Sequence, residues 1–224
     1  MKTVMCYGDS NTFGYDPTNG MRYPRAIRWT GVLQKLLGEN YQVISEGCNG
    51  RTTIYDDPLE GWKNGLDYLK PCLNSHKPLD WVVMMLGSND LKTCFHASAD
   101  DIAKGASILV DTIQTFTAEK QGFVPKILLL SPPEIGPAIS ESPFRFAFDE
   151  SAITRSKAFA PAFQKIAEAQ KCYYLNVANV ATASTWDSLH LTPEAHQSLA
   201  EAVAQKIRCI DAKESDEEEG KHEY

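Results

Sequence analysis

No stretch of the 224 residues reaches the ~18 consecutive apolar residues that a membrane-spanning helix needs. The opening, MKTVMCYGDS, lacks the long apolar run and small-residue cleavage site of a secretory signal. Together these absences make the cytoplasm the expected compartment. The six cysteines, Cys6, Cys48, Cys72, Cys94, Cys172 and Cys209, are scattered, with no C-x-x-C pair. That spacing argues against a disulfide framework and reads as small buried hydrophobes in a reducing setting. Basic residues are in the minority, 22 Lys and Arg against 29 Asp and Glu, for a formal net charge of -7. A chain of that sign has no electrostatic pull toward nucleic acid or an anionic membrane. Phosphate-binding signatures are missing too: Gly8 and Gly14 do not fit G-x-G-x-x-G, and no G-K-[ST] follows the first strand. His76, His96, His196 and His222 stand at no metal-ligand spacing from carboxylates or cysteines, so no metal and no organic cofactor is expected.

What the chain does have is an ordinary globular composition, 43% hydrophobic and 23% charged. A chain of this length buries roughly 70–75% of its extended surface, enough for a core without disulfide or metal. Short apolar runs alternate with stretches of helical period. The strand candidates are Lys2–Tyr7, Tyr41–Ser45, Asp80–Leu86, Lys126–Leu130 and Tyr173–Val177. Helical period marks Trp29–Leu37, Leu66–Leu73, Asp100–Phe116 with Asp100 or Asp101 as its cap, and Ser151–Gln170, which Pro161 should kink or split. Thr192-Pro193 opens a last helix. Five strands joined by helices imply right-handed βαβ crossovers, hence a three-layer α/β/α sandwich around a flavodoxin-like, five-stranded parallel sheet. The expected domain is one unit over residues 1–212. Residues 213–224 are expected to form a solvated acidic tail, since the stretch from Asp211 onward holds seven acids and two bases.

In such a fold, ligands bind outside the carboxyl ends of the strands. Four of those ends carry polar residues that could serve chemistry. Gly8-Asp9-Ser10-Asn11-Thr12 sets a serine hydroxyl at a strand end and a helix start, where free N–H groups favour developing negative charge; an ordinary helix cap would look the same. It is not the G-x-S-x-G elbow, because Thr12 replaces the second glycine. Gly47-Cys48-Asn49-Gly50-Arg51-Thr52-Thr53 allows backbone to approach a ligand closely, although most such glycine pairs only make turns. Gly87-Ser88-Asn89-Asp90 can turn the Asn89 amide toward the same crevice. Asp187-Ser188-Leu189-His190 supplies a base and an acidic partner to orient it, as acyl transfer by serine requires.

These four blocks, in this order, resemble the SGNH (GDSL-type) hydrolase superfamily over Lys2 to about Ile210. Arg28-Trp29-Thr30-Gly31-Val32-Leu33, Gly50-Arg51-Thr52-Thr53, Asp57-Pro58 and Met85-Leu86-Gly87 are similar to its bacterial arylesterase/acyltransferase branch. The resemblance implies the SGNH hydrolase fold and a serine esterase acting on small carboxylic or aryl esters through an acyl-enzyme, with acyl transfer to alcohols as a variant of the same chemistry. It makes Ser10 the nucleophile, His190 the base and Asp187 its orienter. The oxyanion hole becomes the N–H groups of Ser10 and Gly50 with the Asn89 side chain. Asn11 stands where many members have Leu and is expected to line the site. Ser88, Trp186, Leu189, Phe144, Phe146 and Phe148 are the other pocket candidates. The long connection Tyr15–Arg28 reads as a lip on the pocket or a homo-oligomer contact. Two alternatives stand beside the esterase. One is a carbohydrate O-acetylesterase using the same residues; the other is a phospholigand-binding module in which the Ser10 block acts as an anion nest.

Overall fold

Alternation within the apolar runs decides how the sheet is covered. The computed structural model describes residues 1–221, with side chains near the C-terminus described to residue 214. Strands β1 (Lys2–Gly8), β2 (Tyr41–Gly47), β3 (Trp81–Met85), β4 (Lys126–Ser131) and β5 (Tyr173–Asn176) form one parallel sheet in the order β2-β1-β3-β4-β5. Met5, Tyr7, Val82, Met84, Ile127 and Leu129 project to one face; Val4, Cys6, Trp81, Val83, Met85, Leu128 and Leu130 project to the other. Both sets are buried, as the near-continuous apolar strands require.

The helices complete the two outer layers. A four-residue helix, α1 (Ser10–Phe13), follows β1 directly. Next come α2 (Trp29–Leu37), α3 (Gly65–His76), α4 (Ala99–Gln121), α5 (Ser151–Lys157), α6 (Phe159–Ala169) and α7 (Pro193–Lys221). Residues of α3, α4 and α6 pack on the Met5 face, and those of α2 and α7 on the Val4 face. The expected single helix over Ser151–Gln170 is split at Ala158, and Pro161 sits in the first turn of α6, where its missing N–H costs no intrahelical bond.

Two boundaries differ from the sequence reading. The cap of α4 is Ser98, not Asp100 or Asp101. Its Oγ accepts from the Asp101 N–H at 3.2 Å while the Asp101 carboxylate accepts from the Ser98 N–H at 3.2 Å, a reciprocal capping box. The helix α7 runs to Lys221, so the expected boundary at 212 falls inside it. Asp211, which the sequence reading counted with the acidic stretch, is buried in the body of the fold. Its carboxylate receives Lys2 Nζ at 2.9 Å, Lys126 Nζ at 2.6 Å and the Tyr41 hydroxyl at 2.7 Å, with Trp81 Nε1 at 3.3 Å. One side chain of α7 thereby ties the first residues of β1, β2, β3 and β4. Burial pushes that carboxyl up, but the bonds from Lys126, Tyr41 and Lys2 outweigh it and hold the pKa below the ordinary range.

Candidate active site

The carboxyl ends of β1, β2 and β3 and the segment before α7 converge on one small cavity. After Gly8 the chain turns into α1, and Asp9 caps it by accepting from the Asn11 N–H at 2.9 Å. Ser10 is thus the first residue of α1, where the backbone N–H groups have no helical partner. Its Oγ lies 2.8 Å from His190 Nε2. His190 Nδ1 lies 2.6 Å from Asp187 Oδ2. With the proton on Nδ1, the ring donates to Asp187 and accepts from the serine hydroxyl. Ser10, His190 and Asp187 are all buried, so this relay works in a low-dielectric setting.

Asp187 is held in place on its other oxygen. Oδ1 accepts from Ser184 Oγ at 2.9 Å, the Leu189 N–H at 3.0 Å and the His190 N–H at 2.9 Å. Burial pushes the Asp187 carboxyl up, but the bond and charge of His190 and these N–H donors outweigh it and lower its pKa. Ser184 also donates its N–H to the His190 carbonyl at 2.7 Å. The sequence reading missed Ser184, although its S-x-x-D spacing to Asp187 is a capping signature.

Gly50 follows β2 on a left-handed turn with φ 78°, and a Cβ there would stand 3.0 Å from Glu60 Oε2. Arg51 fixes this loop to the sheet. Its Nη1 donates to the Gly8 carbonyl at 2.9 Å and to the Glu46 carbonyl, and its guanidinium lies 4.2 Å from the Tyr7 ring centroid. Asn89, in the turn after β3, donates one amide hydrogen to the Arg51 carbonyl at 3.0 Å. Its second amide hydrogen is left over. The N–H groups of Ser10 and Gly50 donate to no group among the described residues. Behind this edge, Asp90 accepts from the Thr53 N–H at 3.0 Å and from its hydroxyl. Burial pushes Asp90 up to about 6 and Asp9 up to about 7.

The cavity over Ser10 has a volume of about 200 Å³. Tyr15 and Phe144 stand beside His190, with ring centroids 4.1 Å and 5.2 Å from its own; Phe148, Ala147 and Leu189 extend the apolar wall. Asn49, Glu60 and Lys92 give it a polar side, where Lys92 Nζ is paired with Asp57 at 2.6 Å and Glu60 at 3.2 Å. Of the expected pocket residues, Leu189, Phe144 and Phe148 line it. Asn11 does not: it is buried, donating Nδ2 to the Leu189 carbonyl at 3.3 Å and accepting from the Leu191 N–H at 3.0 Å, so it staples the nucleophile turn to both sides of His190. Ser88 is buried at the base of the Asn89 turn and does not reach the cavity, and Trp186 is 69% exposed outside it. Phe146 is also exposed and lines a neighbouring cleft with Asp57 and Leu59. Tyr15 opens the connection read as a lip on the pocket, Asn49 and Lys92 lie on strand-end segments, and Glu60 carries no signal in the sequence. A larger cleft of about 390 Å³, lined by Ile135, Ile153, Ala181 and Lys157 among others, contains no residue of the relay.

A profile of the GDSL-like lipase/acylhydrolase family matches residues 6–198. The chain belongs to that family. The hydrolase resembles a carbohydrate acetylesterase from Sinorhizobium meliloti at 34% identity, with 94% of this chain and 100% of that one covered and a TM-score of 0.88. It is similar to the aryl esterase of M. smegmatis at 34% identity, covering 93% and 99% of the two chains, with a TM-score of 0.87. A putative arylesterase from Agrobacterium tumefaciens is 36% identical, covering 94% and 100%, with a TM-score of 0.85. No curated protein sequence matches the chain. Family membership makes it a carboxylic ester hydrolase with the SGNH fold.

The fold also makes one grouping away from the cavity. The sequence reading set His76 aside as a ligand, but the fold brings it beside Cys72 on α3 and Glu46 on β2. Cys72 and His76 stand four apart on α3, and only Glu46 comes from elsewhere in the sequence. Among the described residues, no helix is long and apolar enough to cross a membrane.

Proposed function

We propose that the hydrolase cleaves small carboxylic or aryl esters through an acyl-enzyme on Ser10. The observation that carries this reading is the unbroken relay from Ser10 Oγ through His190 to Asp187, at 2.8 Å and 2.6 Å, beside unengaged N–H donors. His190 takes the hydroxyl proton as Ser10 attacks the ester carbonyl, and Asp187 stabilises the imidazolium. The tetrahedral oxyanion is met by the N–H groups of Ser10 and Gly50 and by the second amide hydrogen of Asn89. His190 then gives the proton to the leaving alcohol. Water, activated by the same ring, releases the acid. An alcohol replacing water in that last step gives acyl transfer. Tyr15 and Phe144 flank the His190 ring and line the cavity, an aromatic wall that suits a flat aryl alcohol.

A second reading, acetyl esters of carbohydrates, is favoured by the polar side of the cavity, where Asn49, Glu60 and Lys92 could bond sugar hydroxyls. A similar enzyme is named a carbohydrate acetylesterase. The phospholigand reading has no use for His190 or Asp187. All six cysteines are free, which fits the proposed reducing, cytoplasmic setting. The test is turnover of p-nitrophenyl acetate by the wild type, Ser10→Ala and His190→Ala. Each variant should lose at least about 10⁴-fold in kcat. Activity surviving in Ser10→Ala would overturn the serine mechanism. Acetylated sugars assayed beside aryl esters decide between the two readings by kcat/KM.

A further inference from the structure

We propose that Glu46, Cys72 and His76 form a binding site for a thiophilic divalent cation, Zn²⁺, remote from the catalytic relay. Cys72 and His76 are four residues apart on α3, so they share one helix face, and Glu46 reaches them from β2. Their ligand atoms all lie within 4.8 Å of one another, and His76 Nε2 is 2.6 Å from Glu46 Oε1. A tetrahedral zinc, with bonds of about 2.0 Å to N and O and about 2.3 Å to S, holds its donors about 3.3–3.8 Å apart. To reach that spacing the His76–Glu46 contact must open from 2.6 Å, and the separations from Cys72 Sγ, all within 4.8 Å, need close by no more than about 1–1.5 Å. A second sulfur lies close by, Met5 Sδ at 3.5 Å from Cys72 Sγ, which adds to the soft character of the corner.

The site has a protein floor and a way in. Cys72 is fully buried, whereas the side chains of His76 and Glu46 keep 27% and 19% exposure. One thiolate and one carboxylate neutralise the ion, the imidazole adds a neutral donor, and a water completes the fourth position. Zinc replaces the thiol proton of Cys72, which leaves to solvent; no other covalent change is needed. Glu46 precedes the last residue of β2, and its carbonyl already receives Arg51, so a bound ion would brace the base of the loop that carries Gly50.

The test is titration of the metal-stripped full chain with Co²⁺ and then Zn²⁺, followed by absorption and calorimetry. One equivalent of Co²⁺ should give a thiolate-to-cobalt charge-transfer band, and one equivalent of Zn²⁺ should abolish it. The band should be absent in Cys72→Ser. His76→Gln and Glu46→Gln, at partly exposed positions, should each weaken Zn²⁺ binding at least about tenfold, the smaller loss typical even of groups that only support a ligand. Zinc should raise the Tm of the wild type but not of Cys72→Ser. Three outcomes would overturn the proposal: no charge-transfer band, a band that survives Cys72→Ser, or unchanged zinc affinity in both Gln variants. The two Gln variants decide the matter if Cys72→Ser fails to fold. Ester turnover enters none of these readouts, so the site stands or falls apart from the proposed activity.

Discussion

Asn89 spends one amide hydrogen on the Arg51 carbonyl and keeps the other for the crevice. Asn89→Ala should therefore lower kcat by about 100- to 1000-fold, the cost of one oxyanion donor, with KM little changed. Near-normal turnover in a steady-state assay would remove Asn89 from the oxyanion hole. Ser184 acts one step further back. Its hydroxyl is one of three donors to Asp187 Oδ1, and hydrogen bonds to charged groups contribute about 1.5–3 kcal/mol. Ser184→Ala should lose about that much in urea unfolding. Ser184→Thr, which keeps the hydroxyl, should recover most of it and restore turnover with it. At this scale the sequence told much about the relay and little about the wall. Ser10 and Asn89 announce themselves because strand ends in a parallel sheet meet at one edge, and Asp187 and His190 because an acid and a base three residues apart lie just before α7. Asn11 misled because an amide serves a backbone as well as a substrate; its partners, Leu189 and Leu191, lie at the far end of the chain. Trp186 is adjacent to Asp187 in sequence, yet its side chain turns outward.

The loop after β2 shows how an element is held for chemistry. Arg51 closes it onto the Gly8 and Glu46 carbonyls, so the residue that follows Gly50 is fastened to the ends of both β1 and β2. Lysine offers one point charge where arginine offers a planar fork stacked on Tyr7. Arg51→Lys should lose the charge-assisted bonds to these carbonyls and the stack on Tyr7, at a cost of about 1.5–3 kcal/mol measured by denaturant midpoint, while the Gly8 carbonyl keeps the Cys48 N–H at 3.1 Å. Turnover should fall too, because Gly50 loses its anchor. A variant as stable and active as the wild type would mean that the loop holds itself. Element existence was plain from hydrophobic period, as in Trp29–Leu37, whose bounds agree with α2. Element ends were less so. The α4 cap moved to Ser98 because a hydroxyl and a carboxylate three apart satisfy two orphan N–H groups where a lone Asp satisfies one. The end of α7 was hidden because Asp211 reads as one more acid until Lys2, Tyr41, Trp81 and Lys126 are seen around it.

For the whole molecule, buried titratable groups set opposing slopes of stability with pH. His196 is fully buried, accepts the Trp29 N–H on Nδ1 at 3.3 Å, and faces the Tyr23 ring. Burial, with the charges of His190 and Arg28 behind it, lowers its pKa from 6.5 to about 4. Between those values the unfolded chain binds a proton that the folded one refuses, so stability is full above 6.5 and falls as pH drops toward 4. Asp9 and Asp90 work the other way. Raised from 3.8 to about 7 and about 6, they hold protons that the unfolded chain has lost, so their contribution declines as pH rises through that window. The raw profile blends both slopes, but the difference between the wild type and His196→Leu isolates one, since the aspartates are common to both. The variant should be the less stable at pH 7.5, having left the Trp29 N–H without its acceptor. At pH 5 the gap should shrink by about 2 kcal/mol, since each pH unit below the unfolded pKa carries about 1.4 kcal/mol. Paired urea titrations at the two pH values measure it. A gap that stayed constant would show that His196 takes up its proton inside the folded chain, and the acid limb of stability would then belong to other groups.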